Sequence, residues 1–245
     1  MSGENVYERR EVAATATIGA AAVAAAVGGW TLVADAASHD AANRWVLVAG
    51  AVLAYEVAFL AYHLDADGGS AFAPPNLVTL VRGGLYAATA GFLFVAAEPT
   101  IRWAPAACYG VGVVLDYVDG SLARRTGRTT ELGTKLDLAF DTLGFLVAPL
   151  VAVAWGRLPV AYLSLSAARY VYRAGIGWRT RRGLPVGDLP PSRIRRPLAA
   201  LQMGFIAVAL APVLPVSALH PLAVVVAAPS LAVFARDYLV VTGRL

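Results

Sequence analysis

The sequence predicts an all-α fold, a polytopic membrane helical bundle of about eight transmembrane helices. Three observations predict it. Hydrophobic residues make up 58% of the chain and the mean hydropathy is +0.63. Charged residues are only 15%, against roughly 25% in soluble domains. Apolar runs of membrane length recur from one end to the other, separated by short polar or Gly/Pro-rich breaks.

Taken in order, residues 1–11 are polar and 13–34 form a first apolar run rich in alanine. A cleaved signal peptide competes for this run. Its length and the second apolar run behind it favour a retained span. Residues 35–44 are a polar loop and 45–64 a second span, with Glu56 inside it as a buried polar contact between helices. A Gly/Pro/Ser/Ala linker at 65–75 then divides an N-terminal two-helix membrane extension, 1–65, from a core, 75–245. Six further spans follow at 77–97, 101–123, 133–154, 159–178, 197–214 and 219–241. The single Cys108 permits no internal disulfide.

Charge sets the orientation. Eight spans put both termini on one side, together with Arg9 and Arg10, the Arg124, Arg125 and Arg128 group, the arginine-rich 179–196 loop and Arg244. The opposite side receives only Arg44, Arg102 and Arg157. Positive charge concentrates in cytoplasmic loops, so the chain is expected in the cell membrane with both termini cytoplasmic. The net charge of +4 is a membrane effect, and no nucleic-acid partner is expected. His39, His63 and His220 are scattered and suggest no metal site.

The stretch from Asp116 to Asp141 carries the chemistry. Asp116, Asp119, Gly120 and Ala123 fall at spacings of three and four, so they share a helical face; Gly133, Asp137 and Asp141 share another. Residues 126–132, with Gly127 inside, read as a loop. An antiparallel pair of helices would turn the two acidic faces together, with small residues letting the backbones approach. Carboxylates are hard ligands that suit Mg²⁺, Mn²⁺ or Ca²⁺, and four of them can hold two cations side by side, the arrangement that clamps a phosphate during displacement. Arg124 would add hydrogen bonds to phosphate oxygens, and one aspartate could accept the proton of an incoming hydroxyl. The alternative is an ion-pair network with Arg124 and Lys135, which leaves an excess of acid where charge is costly. These residues favour metal-assisted phosphoryl or phosphatidyl transfer at a membrane face.

The pattern D-x2-D-G-x2-A-R-x8-G-x3-D-x3-D, matched here at every fixed position, resembles the motif of the CDP-alcohol phosphotransferase (CDP-alcohol phosphatidyltransferase) family. The upstream segment Pro75-Asn76-Leu77-Val78-Thr79-Leu80-Val81-Arg82 is similar to the opening of that family's first core helix. The resemblance implies a six-helix core, here preceded by two extra helices, and a homodimer. It implies metal ligation by Asp116, Asp119, Asp137 and Asp141, with Asp141 as the catalytic base and Mg²⁺ or Mn²⁺, two ions, as cofactor. Gly120, Ala123 and Arg124 match positions around the cytidine and diphosphate, and Asn76, Thr79 and Thr130 match further CDP-lipid contacts. The implied reaction belongs to phospholipid synthesis: an alcohol hydroxyl attacks the lipid-bearing phosphate of a CDP-lipid (diacylglycerol or archaeol) and CMP leaves.

The motif does not name the alcohol. Arg169 and Arg173 lie in the sixth span at spacing four, and Arg193 and Arg196 follow in the loop. Snorkelling and attraction to anionic headgroups account for many such arginines. An acceptor role for these four tilts the reading toward a phosphorylated alcohol, glycerol phosphate or inositol phosphate, with serine as the alternative. A cation carrier is the remoter alternative. It would spread its acids over several spans, whereas here they gather at one end of two adjacent ones.

Overall fold

A computed structural model describes the backbone of residues 3–67, 74–126, 131–189 and 191–245, and the side chains of 20–63, 77–117, 132–189 and 191–245. The helices are α1 (Gly3–Ala36), α2 (His39–Asp67), α3 (Pro74–Gly91), α4 (Ala104–Thr126), α5 (Glu131–Ala154), α6 (Leu163–Arg181), α7 (Arg195–Leu210) and α8 (Val216–Val241). Short 3-10 turns at Phe92–Phe94 and Val160–Tyr162 precede α4 and α6. Among the described residues there is no strand, so the all-α expectation holds, and each expected span coincides with a helix.

Among the described residues, four stretches are long and apolar enough to cross a bilayer: His39–His63, Leu77–Phe94, Leu132–Ala154 and Val216–Val241. α6 and α7 differ for physical reasons. α6 carries Arg169, Arg173, Arg179 and Arg181. α7 has 16 residues, about 24 Å at a rise of about 1.5 Å per residue, short of the roughly 30 Å hydrocarbon layer. Pro149 in α5 and Pro221 and Pro229 in α8 lie within helices, as membrane helices tolerate. Leu47, Val57, Val114, Val224 and Val225 stand exposed, as side chains against lipid would.

The chain forms two compact units, residues 1–147 and 148–245. In the first, α3 packs on α2 and α4, and α1 on α2. Trp45 of α2 is the pin. Its indole donates to the Ala88 carbonyl at 3.1 Å and lies edge-on to Phe92. A Cβ at Gly29 of α1 or Gly91 of α3 would overlap its ring. Further along, Phe59 and Leu60 of α2 and Leu80 of α3 pack on the buried Leu132, Leu136 and Phe140 of α5. α2 therefore forms part of the wall behind α5. Glu56 is buried in that wall beside Gly83, where an added Cβ would fall 2.8 Å from both its Oε2 and the Phe140 ring.

In the second unit, Tyr162 donates to Gln202 Oε1. Gln202 in turn donates to the Val226 carbonyl and Ser230 Oγ at 2.7 and 3.0 Å, tying α7 to α8. Gly156, at φ 67, takes the left-handed turn that ends α5. The next residue, Arg157, donates to the carbonyls of Ala209, Ala211 and Leu214 at 2.9, 2.6 and 3.0 Å. A cation on the open carbonyls of a helix C-terminus is favourable.

Candidate active site

Three helices of the first unit build the site. Asp116 comes from α4, Asp137 and Asp141 from successive turns of α5, and Arg82 from α3. Arg82 is fully buried. Its Nη1 donates to Asp116 Oδ1 and its Nη2 to Asp137 Oδ1, the second at 2.5 Å. The same Nη2 lies 3.4 Å from Asp141 Oδ1. The side chains of Asp116, Asp137 and Asp141 are 29%, 48% and 25% exposed, so the cluster opens on one side while the arginine enters from the closed one.

One oxygen from each of the three carboxylates lies within 4.8 Å of the others. That spacing and that all-oxygen donor set fit a hard divalent cation. Three carboxylates and one guanidinium carry a formal net charge of −2. The acids thus exceed what the arginine neutralises, and the group can take further positive charge. Arg82 engages the same three carboxylates that would ligate an ion, so the two partners share those side chains.

Tyr86 shares a face of α3 with Arg82. It follows Arg82 by one helical turn, is fully buried, and stacks at a tilt against Tyr109 with centroids 5.5 Å apart. A Cβ on Gly112 of α4 or Gly144 of α5 would fall 2.7 or 2.8 Å from its ring. Gly112 precedes Asp116 by one turn and Gly144 follows Asp141 by three residues. These two glycines make the slot that seats the ring.

The sequence expectations can be placed one by one. Asp116, Asp137 and Asp141 come together as the spacing predicts. Thr79 is buried on α3, one turn before Arg82. Asp119, Gly120, Ala123 and Arg124 fall in the last turns of α4 and Asn76 in the first turn of α3, but their side chains lie outside the described residues, as does Thr130 altogether. Arg169 is half-buried and Arg173 exposed on α6, and Arg193 and Arg196 are exposed. All four belong to the second unit.

Sequence reasoning gave no role to Arg82 and weighed Arg195 only as one of the loop arginines. The signal for Arg82 was present: an arginine inside an apolar span is costly and asks for a partner. Arg195 Nε pairs with Asp237 Oδ2 at 2.6 Å, while Arg236 Nη2 holds Oδ1 at 2.7 Å. The hydrogen bond to Asp237 raises the pKa of the Arg195 guanidinium above its ordinary value. Arg236 and Asp237 are the neighbouring pair that their adjacency suggests; Arg195 joins them from α7.

A family model described as CDP-alcohol phosphatidyltransferase matches residues 72–234, more than half of the chain. The chain belongs to the CDP-alcohol phosphatidyltransferase family. Membership places it among enzymes that transfer a phosphatidyl group from a CDP-alcohol to an alcohol. Neither the curated proteins nor the solved structures compared with it gave a match. The matched segment begins just before α3 and contains Arg82 and the three gathered acids, whereas α1 and α2 precede it.

Proposed function

We propose that this CDP-alcohol phosphatidyltransferase transfers a diacylglycerol- or archaeol-phosphate group from a CDP-lipid to a phosphorylated alcohol, glycerol phosphate or inositol phosphate, with release of CMP. The observation that carries the reading is the convergence of Asp116, Asp137 and Asp141 on one open-sided cluster within the family-matched segment. Asp119 completes the ligand set in this reading. Divalent ions, Mg²⁺ or Mn²⁺ and two in number, would supply when bound the positive charge that a diphosphate and its departing CMP require.

The chain's own residues do the rest. Asn76, Thr79, Gly120, Ala123, Arg124 and Thr130 bind the CDP portion. Asp141 accepts the proton of the alcohol as its oxygen bonds to the lipid-bearing phosphorus and the bond from that phosphorus to CMP breaks. Carboxylates from separate helices would hold the ions that fix the diphosphate end in one orientation, which removes part of the entropic barrier. Arg169, Arg173, Arg193 and Arg196 serve the acceptor phosphate, because guanidinium groups match phosphate geometry. The site and both termini face the cytoplasm, where a nucleotide-linked substrate is found, and the enzyme works as a homodimer in the cell membrane. The N-terminal helices 1–65 are an extension of the 75–245 catalytic core.

The test is CMP release by the purified full chain with Mg²⁺, CDP-lipid and a panel of alcohols. Turnover with glycerol phosphate or inositol phosphate is expected. Efficient turnover with serine and none with phosphorylated alcohols overturns the acceptor assignment. Ion flux in vesicles without CMP release overturns the enzyme.

A further inference from the structure

The Tyr86 hydroxyl is unexplained by packing alone. The slot between Gly112 and Gly144 is filled by the ring, and a phenylalanine would fill it equally. The hydroxyl is buried and has no hydrogen-bond partner, a costly state for a polar group in an apolar interior. Such a group points to a partner supplied in another state of the site.

Its direction is fixed by the helix. Side chains on α3 lean toward the helix N-terminus, and Arg82 lies one turn that way on the same face. The Tyr86 hydroxyl therefore leans toward the acid cluster, its ring seated between Gly112, one turn before Asp116, and Gly144, three residues after Asp141. In the arrangement seen here, Asp141 Oδ1 faces Arg82 Nη2 at 3.4 Å. Arg82 faces this oxygen as an ion pair only, and Tyr86 is placed to donate to it.

We propose that Tyr86 is a positioning residue, whose hydroxyl donates a hydrogen bond to the Asp141 carboxylate when a divalent ion occupies the cluster. The proposal rests on the divalent-ion reading given above. An ion and the Arg82 guanidinium compete for the same carboxylates, because each brings positive charge to them. A neutral hydroxyl brings a donor without competing charge, and it approaches from the closed side. Partners of this kind orient ligand side chains, and losing one typically costs about 10- to 100-fold in metal affinity.

The experiment compares the full chain with Tyr86→Phe, using Mn²⁺ binding followed by electron paramagnetic resonance and melting temperature with and without Mn²⁺. Tyr86→Phe is expected to raise the Mn²⁺ dissociation constant about tenfold. Its metal-free melting temperature should be unchanged or higher, since an unpartnered buried hydroxyl has been removed. The melting-temperature gain on adding Mn²⁺ should shrink. A dissociation constant within about twofold of wild type overturns the proposal, as does a clear fall in metal-free melting temperature, which would assign the hydroxyl a structural role. Asp116→Asn separates the two levels of the argument. If the wild-type chain shows no Mn²⁺ binding that this substitution weakens, the ion reading itself fails and the role of Tyr86 fails with it.

Discussion

In the first unit one buried arginine gathers three acids; in the second, one buried acid gathers two arginines. Both clusters sit on apolar helices, and both bring together residues distant in sequence. Their charge balance differs in sign. Arg82 with Asp116, Asp137 and Asp141 sums to −2, and Asp237 with Arg195 and Arg236 to +1. Their exposure differs too. The acids around Arg82 are 25–48% exposed, whereas Asp237 is 7% exposed with its arginines at 28% and 44%. In each case the buried member is the minority charge and the excess faces outward. The first cluster therefore carries excess negative charge and the second excess positive charge.

The largest effect that would test this contrast is on turnover. Asp141→Asn removes one of the excess charges and the proposed proton acceptor while keeping the side chain's size. CMP release should fall about a thousandfold or more, with helical content by circular dichroism unchanged. Turnover within about tenfold of wild type would remove Asp141 from its assigned role.

Arg82→Ala strikes the same cluster from its closed side. Removing one partner of a buried ion pair costs about 3–5 kcal/mol, and the partial exposure of the three acids places the loss near about 3 kcal/mol, at the lower end. Mg²⁺ should restore part of it, because an ion can replace the lost positive charge. Thermal melting with and without Mg²⁺ measures both. A variant as stable as wild type without Mg²⁺ would show that the guanidinium does not hold the acids together.

Asp237→Asn is the matching change in the second unit. The amide keeps an acceptor for one arginine but leaves two cations facing each other. The cost should be about 1–2 kcal/mol, roughly the worth of a charge-assisted hydrogen bond, and Mg²⁺ should not recover it. Recovery by Mg²⁺ equal to that of Arg82→Ala would erase the distinction between the clusters.

The two clusters also differ in how far they could be read in advance. Asp116, Asp137 and Asp141 declared themselves through helical spacing in an apolar context, and the motif assigned them a class of chemistry. The helices were legible because long apolar runs leave the backbone few alternatives in a membrane. Arg82 stood inside a motif segment but had no visible partner, since its acids lie in α4 and α5. Tyr86 and its two glycines were less legible still. A ring seated between Gly112 and Gly144 is a fact of packing that no local spacing encodes. Arg157 reads as a loop charge, yet it satisfies carbonyls at and beyond the end of α7. Adjacency announced Arg236 and Asp237, while Arg195 joined them only through the fold. Local period is written in the chain, but the partners of buried polar groups come from tertiary contact.

The smallest expected effect concerns the arginines at the rim of the second cluster. Arg193 and Arg196 are exposed, so replacing either by alanine should leave the melting temperature nearly unchanged. Their contribution, if they attract a phosphorylated acceptor, is a long-range one through solvent. KM for glycerol phosphate or inositol phosphate should then rise a few-fold, about 2- to 5-fold per arginine, at low ionic strength, with kcat retained. In high salt the difference from wild type should vanish, because exposed charges are screened beyond about 10 Å at 0.1 M. Arg195 differs from its neighbours in being tied to Asp237, so Arg195→Ala would combine a KM effect with a loss of stability that salt does not remove. If Arg193→Ala and Arg196→Ala leave KM unchanged at every salt concentration, the loop arginines serve the membrane surface, and the search for an acceptor contact narrows to Arg169, Arg173 and Arg195.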